Sequence, residues 1–219
     1  MAHLLFTARA GGKSVDLYKS LNVALHVGDD ENFVGKNREV LRGLLSAPRL
    51  QFMEQMHGNA IYKVIPDQQV LPKADALVTN QKGIALVVMV ADCLPILIDG
   101  GEAIAAVHVG RRGMVNGIIE NTILELKNLG SKNLRAYLGP SICGKCYEVS
   151  EDMYYEIIRQ FPNASAGYRR LDIRTESIHQ LESNGVEVIS YDICTLESED
   201  FYSYRRNPIT GRQCGAIYL

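Results

Sequence analysis

Residues 84–113, "IALVVMVADCLPILIDGGEAIAAVHVGRRG", contain the longest apolar stretch of the chain. "IALVVMVA" (84–91) and "AIAAVHV" (103–109) are short, rich in β-branched residues and bounded by Gly, Pro or Asp, and so read as strands. "DGGE" (99–102) reads as a tight turn. Asp92 and Pro95 interrupt the run, which is too short for a bilayer span. The stretch therefore belongs to the core of a sheet. It also carries Cys93 and, fifteen positions later, His108.

On either side, "AIYKVI" (60–65), "ADALVT" (74–79), "LRAYLG" (134–139) and "EVISYDIC" (187–194) read as further strands. "NFVGKNREVLRGLL" (32–45) reads as an early helix. "MVNGIIENTILELKNLG" (114–130) has apolar residues at 115, 118, 119, 123, 124, 126 and 129, with Gly130 as its stop. "SEDMYYEIIRQF" (150–161) opens on Ser150 as a cap, and "RTESIHQLESNGV" (174–186) is another helix. The strands cluster, and "TNQKG" (79–83), like "DGGE", suggests a tight turn between neighbours. That pattern predicts an α+β fold of antiparallel or mixed sheets with helices packed outside, not a doubly wound parallel sheet.

The chain has 219 residues, 47 % of them hydrophobic, with no repeat, low-complexity tract or linker, so a single domain over 1–219 is expected. Its formal net charge is -2, without blocks of like charge, which gives no support for a nucleic-acid partner. "MAHLLFTARAGGKS" lacks the basic start and long apolar run of a signal peptide. A cytoplasmic protein with no membrane association is expected. The five cysteines are odd in number and lack an export signal, so reduced thiols are the default. No GxGxxG follows a strand and no phosphate-loop pattern occurs, so dinucleotide and ATP chemistry have no sequence support.

Three residues share a setting. His57 in "QMHGNA", Cys93 in "ADCLP" and His108 in "AAVHVGRRG" lie at strand ends, each followed within two residues by Gly or Pro. One thiolate and two imidazoles suit zinc, with a fourth position open for water or substrate. The plain alternative is a buried core thiol beside two satisfied core histidines. The long-range spacing fits no short metal motif, so spacing alone favours that alternative. "CGKC" (143–146) is a CxxC for which zinc needs a second pair, and Cys194 and Cys214 form none, so a structural or neutral role is expected. "FYSYRRNPITGRQCG" (201–215) is either an ordinary loop and strand or a set of arginines gathered over an anion.

Taken together, "FTARAGGKS", "SLNVALHVGDD", "QMHG", "ADALVT", "ADCLPILI", "AAVHVGRRG", "LGPSICGKCYEV" and "FYSYRR…TGRQCGAI" resemble, in order and over nearly the whole chain, the YlmD/YfiH-like (LACC1-like) family. That family has long been labelled multicopper polyphenol oxidase (laccase). The resemblance implies a four-layer α/β/β/α sandwich with mixed sheets. It also implies one zinc ion per chain on His57, Cys93 and His108, with copper the less favoured metal. The implied activity is purine nucleoside phosphorolysis (adenosine, inosine, guanosine, methylthioadenosine) with adenosine deamination. A related branch is described as a peptidoglycan-editing factor, and older comparisons suggest a cysteine hydrolase.

The implied partners are a nucleoside and phosphate, for a monomer or weak homodimer. Arginine is the natural phosphate holder, and Arg112, Arg205 and Arg9 are the candidates. Two departures lie near the expected substrate. Arg111 stands where the family has an aromatic residue, and "TARAGGKS" displaces the usual arginine to Arg9. Neither His57 nor His108 begins the HxE of the common zinc deaminases, so deamination here would use another constellation. Five histidines with no HxH pair do not furnish a multicopper centre. In the hydrolase alternative, Cys93 is the nucleophile and His108 its base.

Overall fold

The computed structural model describes residues 2–66, 68 and 70–219. Among them the elements run β1 His3–Phe6, α1 Glu31–Leu45, β2 Arg49–Gln51, β3 Ile61–Lys63, β4 Ala76–Thr79, β5 Ile84–Val90, β6 Leu94–Asp99 and β7 Ile104–Val109. They continue with α2 Arg111–Val115, α3 Ile118–Asn128, β8 Arg135–Leu138, α4 Glu151–Gln160, α5 Ile173–Ser183, β9 Glu187–Ser190 and β10 Gln213–Tyr218. The strands form two mixed sheets, ordered β1-β10-β5-β2 and β3-β4-β7-β6-β8-β9. The β2–β5, β3–β4 and β8–β9 pairs are parallel, and the other pairs are antiparallel.

Period-two alternation builds the layers. Along β5, Ile84, Leu86, Val88 and Val90 meet Leu77, Leu97, Ile104 and Ala106 of the other sheet. Ala85, Val87 and Met89 face the opposite way, onto Leu41 and Leu45 of α1. On the far side of the six-stranded sheet, Val78, Ile96, Ala105 and Val107 pack against Ile119, Ile123 and Leu126 of α3, with Ile157 and Leu181 of α4 and α5. The order is thus helix, sheet, sheet, helix, the expected sandwich. Both faces of each central strand are covered, which is why 84–90 is apolar throughout rather than alternating.

"DGGE" joins β6 to β7 as a hairpin, with Pro95 opposite His108 and Leu94 opposite Val109. "TNQKG" does not form one: β4 and β5 lie in different sheets, and the chain crosses between layers there. The helix expected over 114–130 is two helices, because Gly117 at φ 79 takes a left-handed conformation that cannot continue a right-handed helix. Ser150 caps α4, accepting from the Met153 amide at 3.4 Å. No described helix is long and apolar enough to cross a membrane.

Candidate metal centre

The alternation that makes the core also aims the candidate ligands. Along β7, Ile104 and Ala106 point between the sheets, and His108 follows two residues on. Cys93 stands two and four residues before Pro95 and Leu97 and packs on the same inter-sheet cluster. His57 comes from the loop between β2 and β3. The side chain of Gln55 anchors that loop by imitating a strand partner: it donates to the Met89 carbonyl at 2.7 Å and accepts from the Met89 amide at 2.8 Å. The donor atoms of His57, Cys93 and His108 come together within 4.8 Å of one another. The imidazole rings sit edge to face, 4.7 Å apart.

Asp75, fully buried just before β4, orders this corner. Its carboxylate accepts from the amides of Met56, His57 and Gly58 at 3.2, 2.9 and 2.7 Å. It also lies 2.8 Å from His108 Nδ1. Three amides converging on one carboxylate hold the His57 backbone at φ 57, in the left-handed region that a histidine seldom occupies. With a proton on Nδ1 shared to Asp75, Nε2 of His108 is left as the free donor. Burial opposes the charge on Asp75, but the bonds from His108, Gly58 and His57 outweigh it and hold the carboxyl below its ordinary range. Gly110 leaves the room: a Cβ there would lie 3.1 Å from His57 Cδ2 and 3.3 Å from Cys93 Sγ.

Charge within the centre is paired. Burial would raise the Cys93 thiol, but the charge and hydrogen bonds of His108 and His57 bring it down to about 6. Burial would lower His108, yet Cys93 and Asp75 hold it up at about 9. A thiolate therefore exists at neutral pH beside an imidazolium. The donor set, the room at Gly110 and the carboxylate behind His108 fit a three-ligand metal centre.

A cavity of about 780 Å³ opens over the centre, within the usual range for small-molecule sites. Arg38, Arg111, Arg205 and Arg212 line it, with Tyr147 and Tyr204. Arg205 stacks 5.4 Å above the Tyr147 ring, and its amide donates to Asp92 Oδ2 at 2.7 Å. Asp92, at φ 90, is a second non-glycine residue in the left-handed region, placed directly before Cys93. Burial raises the Tyr147 hydroxyl, against the pull of Arg111 and Arg205.

The arginine expectations divide. Arg205 lines the cavity; Arg112 and Arg9 do not. Successive helix residues point about 100° apart, so at the start of α2 Arg111 faces the cavity while Arg112 is exposed. Arg9 is used elsewhere: it donates to the carbonyls of Lys19 and Glu199 and lies 5.1 Å over Tyr202, tying the amino-terminal loop to the tail. Asp75 and Arg38 were not anticipated; Arg212 was raised only as one of the arginines of 201–215. For Asp75 the signal was an acid opening the apolar strand "DALVT".

The fold and centre define a class: a four-layer sandwich with a thiolate–imidazole cradle under a cationic cavity. Residues 3–219 match the family described as multi-copper polyphenol oxidoreductase laccase, and the chain belongs to it. A purine nucleoside phosphorylase of Corynebacterium glutamicum is 42 % identical, covering 98 % of this chain and 93 % of the relative. One from Streptomyces coelicolor is 39 % identical over 100 % of this chain and 96 % of the relative. The purine nucleoside phosphorylase YfiH of Escherichia coli is 34 % identical over 97 % and 92 %. Among solved structures, a Neisseria meningitidis protein superposes with a TM-score of 0.90 at 34 % identity, covering 100 % of this chain and 94 % of its own. YlmD of Geobacillus stearothermophilus gives 0.90 at 28 %, over 99 % and 91 %.

Proposed function

We propose that this chain is a zinc-dependent purine nucleoside phosphorylase, acting on adenosine, inosine, guanosine and methylthioadenosine, with adenosine deamination as a second activity. The observation that carries the proposal is the 42 % identity to a purine nucleoside phosphorylase over nearly the full length. That relative's name supports purine nucleoside phosphorolysis; the zinc, the particular nucleosides and the deamination rest on the family resemblance. His57, Cys93 and His108 would hold the ion. Zinc bound there would supply a Lewis acid and, from water, a hydroxide at neutral pH.

The chain's own residues account for the rest of the site. In phosphorolysis a phosphate oxygen attacks C1′ of the ribose as the bond to the base breaks, so the anion must be held against the sugar. Arg111, Arg205 and Arg212 present forked donors around the cavity for that purpose. Tyr147 and Tyr204 offer flat faces for a purine ring. Asp75 keeps His108 and the His57 loop in register and takes no part in bond making.

The test is inosine with and without phosphate, on protein of measured metal content. Hypoxanthine is expected only with phosphate, accompanied by ribose 1-phosphate. Base release that ignores phosphate would contradict the proposal.

One observation favours a second reading. Cys93, His108 and Asp75 lie in series with a thiolate at neutral pH, the order of a cysteine nucleophile, its base and an orienting acid. That reading is a cysteine hydrolase or amidase acting on peptidoglycan precursors, and it needs no metal. Iodoacetamide separates the two. A metal-bound Cys93 alkylates slowly until a chelator removes the ion, whereas a nucleophile is labelled at once in active protein. Copper polyphenol oxidation is the weaker alternative, because the whole chain has five histidines.

A further inference from the structure

The fold builds a second donor cluster apart from the His57–Cys93–His108 cradle. Cys143 and Cys146 lie in the turn after β8, and Cys194 and Glu197 lie after β9. One ligand atom from each of the four falls within 4.8 Å of the others. The "CGKC" turn thus finds its second pair in a Cys-x-x-Glu from a distant segment, which spacing of cysteines alone could not show.

Both arms are built as tight turns. The Cys146 amide donates to the Cys143 carbonyl at 3.0 Å, and the Ser198 amide to the Cys194 carbonyl at 3.0 Å. Each turn brings the first and fourth side chains to one side. Gly144 makes the first turn possible, since a Cβ there would lie 2.6 Å from Ala166 Cβ and 2.8 Å from Asp172 Cβ. The arms are joined backbone to backbone: Ser141 donates to Ile193 at 3.2 Å, and Thr195 to Ser141 at 3.1 Å. Across the join the Cys143 amide points at Cys194 Sγ, 3.4 Å away, and Cys146 Sγ donates to Glu197 Oε1 at 3.5 Å. Amides aimed at a sulfur are the support a metal-bound thiolate receives.

We infer that Cys143, Cys146, Cys194 and Glu197 bind a second, structural zinc ion. Three thiolates and a carboxylate form a closed four-coordinate set with no position left for substrate. Three sulfurs and a carboxylate whose ligand atoms lie this close repel one another once ionised, and a cation among them relieves that repulsion.

The ion's place in the molecule gives it a task. The first arm continues into Ser141, Ile142 and Tyr147 of the cavity wall. From the second arm, Thr195 Oγ1 donates to Asp92 Oδ1 at 2.7 Å, beside Cys93. One ion therefore clasps two loops that shape the wall of the first centre and that are otherwise joined by a single isolated parallel bridge, Ser141 to Cys194.

The test is metal analysis of the purified full-length protein, prepared with reductant and without chelator. Wild type is expected to hold two zinc ions per chain. Cys194→Ser and Cys143→Ser each lose one ion, and Cys93→Ser loses the other while keeping this one. Because a serine variant of the cluster can fail to fold, cobalt is also loaded into Cys93→Ser, whose cluster is intact. Its sulfur-to-cobalt charge-transfer band should persist at three-thiolate strength. An ion that survives Cys93→Ser and is lost with Cys194→Ser supports the second site even if the first centre holds none. Metal-free Cys93→Ser protein, no cobalt–thiolate band in it, or a Cys143–Cys146 disulfide in fresh reduced preparations would overturn the inference.

Discussion

Asp75 does more for the centre than any residue whose chemistry is conspicuous in the sequence. It gathers three amides and one imidazole on a single buried carboxylate. Asp75→Asn keeps the shape but removes the charge and turns one acceptor into a donor. Metal retention should fall about 10–100-fold, read by competition with a chelator. Gly110→Ala should also weaken metal binding, because its methyl group enters the space between His57 and Cys93; unchanged affinity would show that the centre can shift aside. The proton balance gives a pH dependence. Between about 6 and about 9 the Cys93–His108 pair holds one proton, on His108. A metal taking thiolate and neutral imidazole must displace it, so affinity should rise about tenfold per pH unit across that window. It should rise more steeply below the window, where Cys93 is also protonated, and level off above it. Titrations at several pH values check the slope, and a flat profile would mean the pair is not ionised as described. At this scale the sequence was partly legible. Cys93, His57 and His108 share a strand-end setting, but their spacing alone favoured a buried thiol beside core histidines, and the combined motifs of the family resemblance turned the balance to a ligand set. Arg112 was expected where Arg111 stands, because the side from which a helix begins is set by packing that the sequence does not display.

The elements carried more of their own signal. Strands 84–90 and 104–109 stood out because both faces are buried, which leaves no polar alternation to obscure them. β1 and β2 are short pieces at the edges of the four-stranded sheet, partly exposed, and the propensity of three or four residues did not mark them. The "TNQKG" turn was read as local pairing because a turn's residues show that the chain bends and not which sheet it enters next. Gly117 shows the cost of reading periodicity through a glycine: the apolar spacing fits one helix, but the backbone breaks there. The break gives α2 its own axis and lets it begin at Gly110, with Arg111 over the cavity. Gly117→Ala should therefore destabilise the fold by about 1–2 kcal/mol, since alanine pays the left-handed penalty. At this chain length that is a fall in melting temperature of roughly 2–8 °C by calorimetry. A gain in stability would mean that the segment had closed into a single helix.

At the scale of the whole molecule, two sheets face each other through one inter-sheet core, and the centre sits where that core reaches the end of the sandwich. Leu97 is fully buried between the sheets, on the same face of β6 as the approach to Cys93. Leu97→Ala should cost about 2–5 kcal/mol of stability, measured by denaturant unfolding, with the metal still bound in the folded protein. The α+β class was legible from strand clustering and turn spacing; the stacking order of four layers came with the resemblance, because hydrophobic pattern alone does not say which face meets which. The central claim is that the centre and its cavity together perform metal-dependent phosphorolysis. Its most direct test is ribose 1-phosphate formation from inosine and phosphate by one sample in three states: as purified, stripped by chelator, and reloaded with zinc. Product is expected in step with hypoxanthine, with loss on stripping and recovery on reloading. Undiminished product after the metal has gone would contradict it.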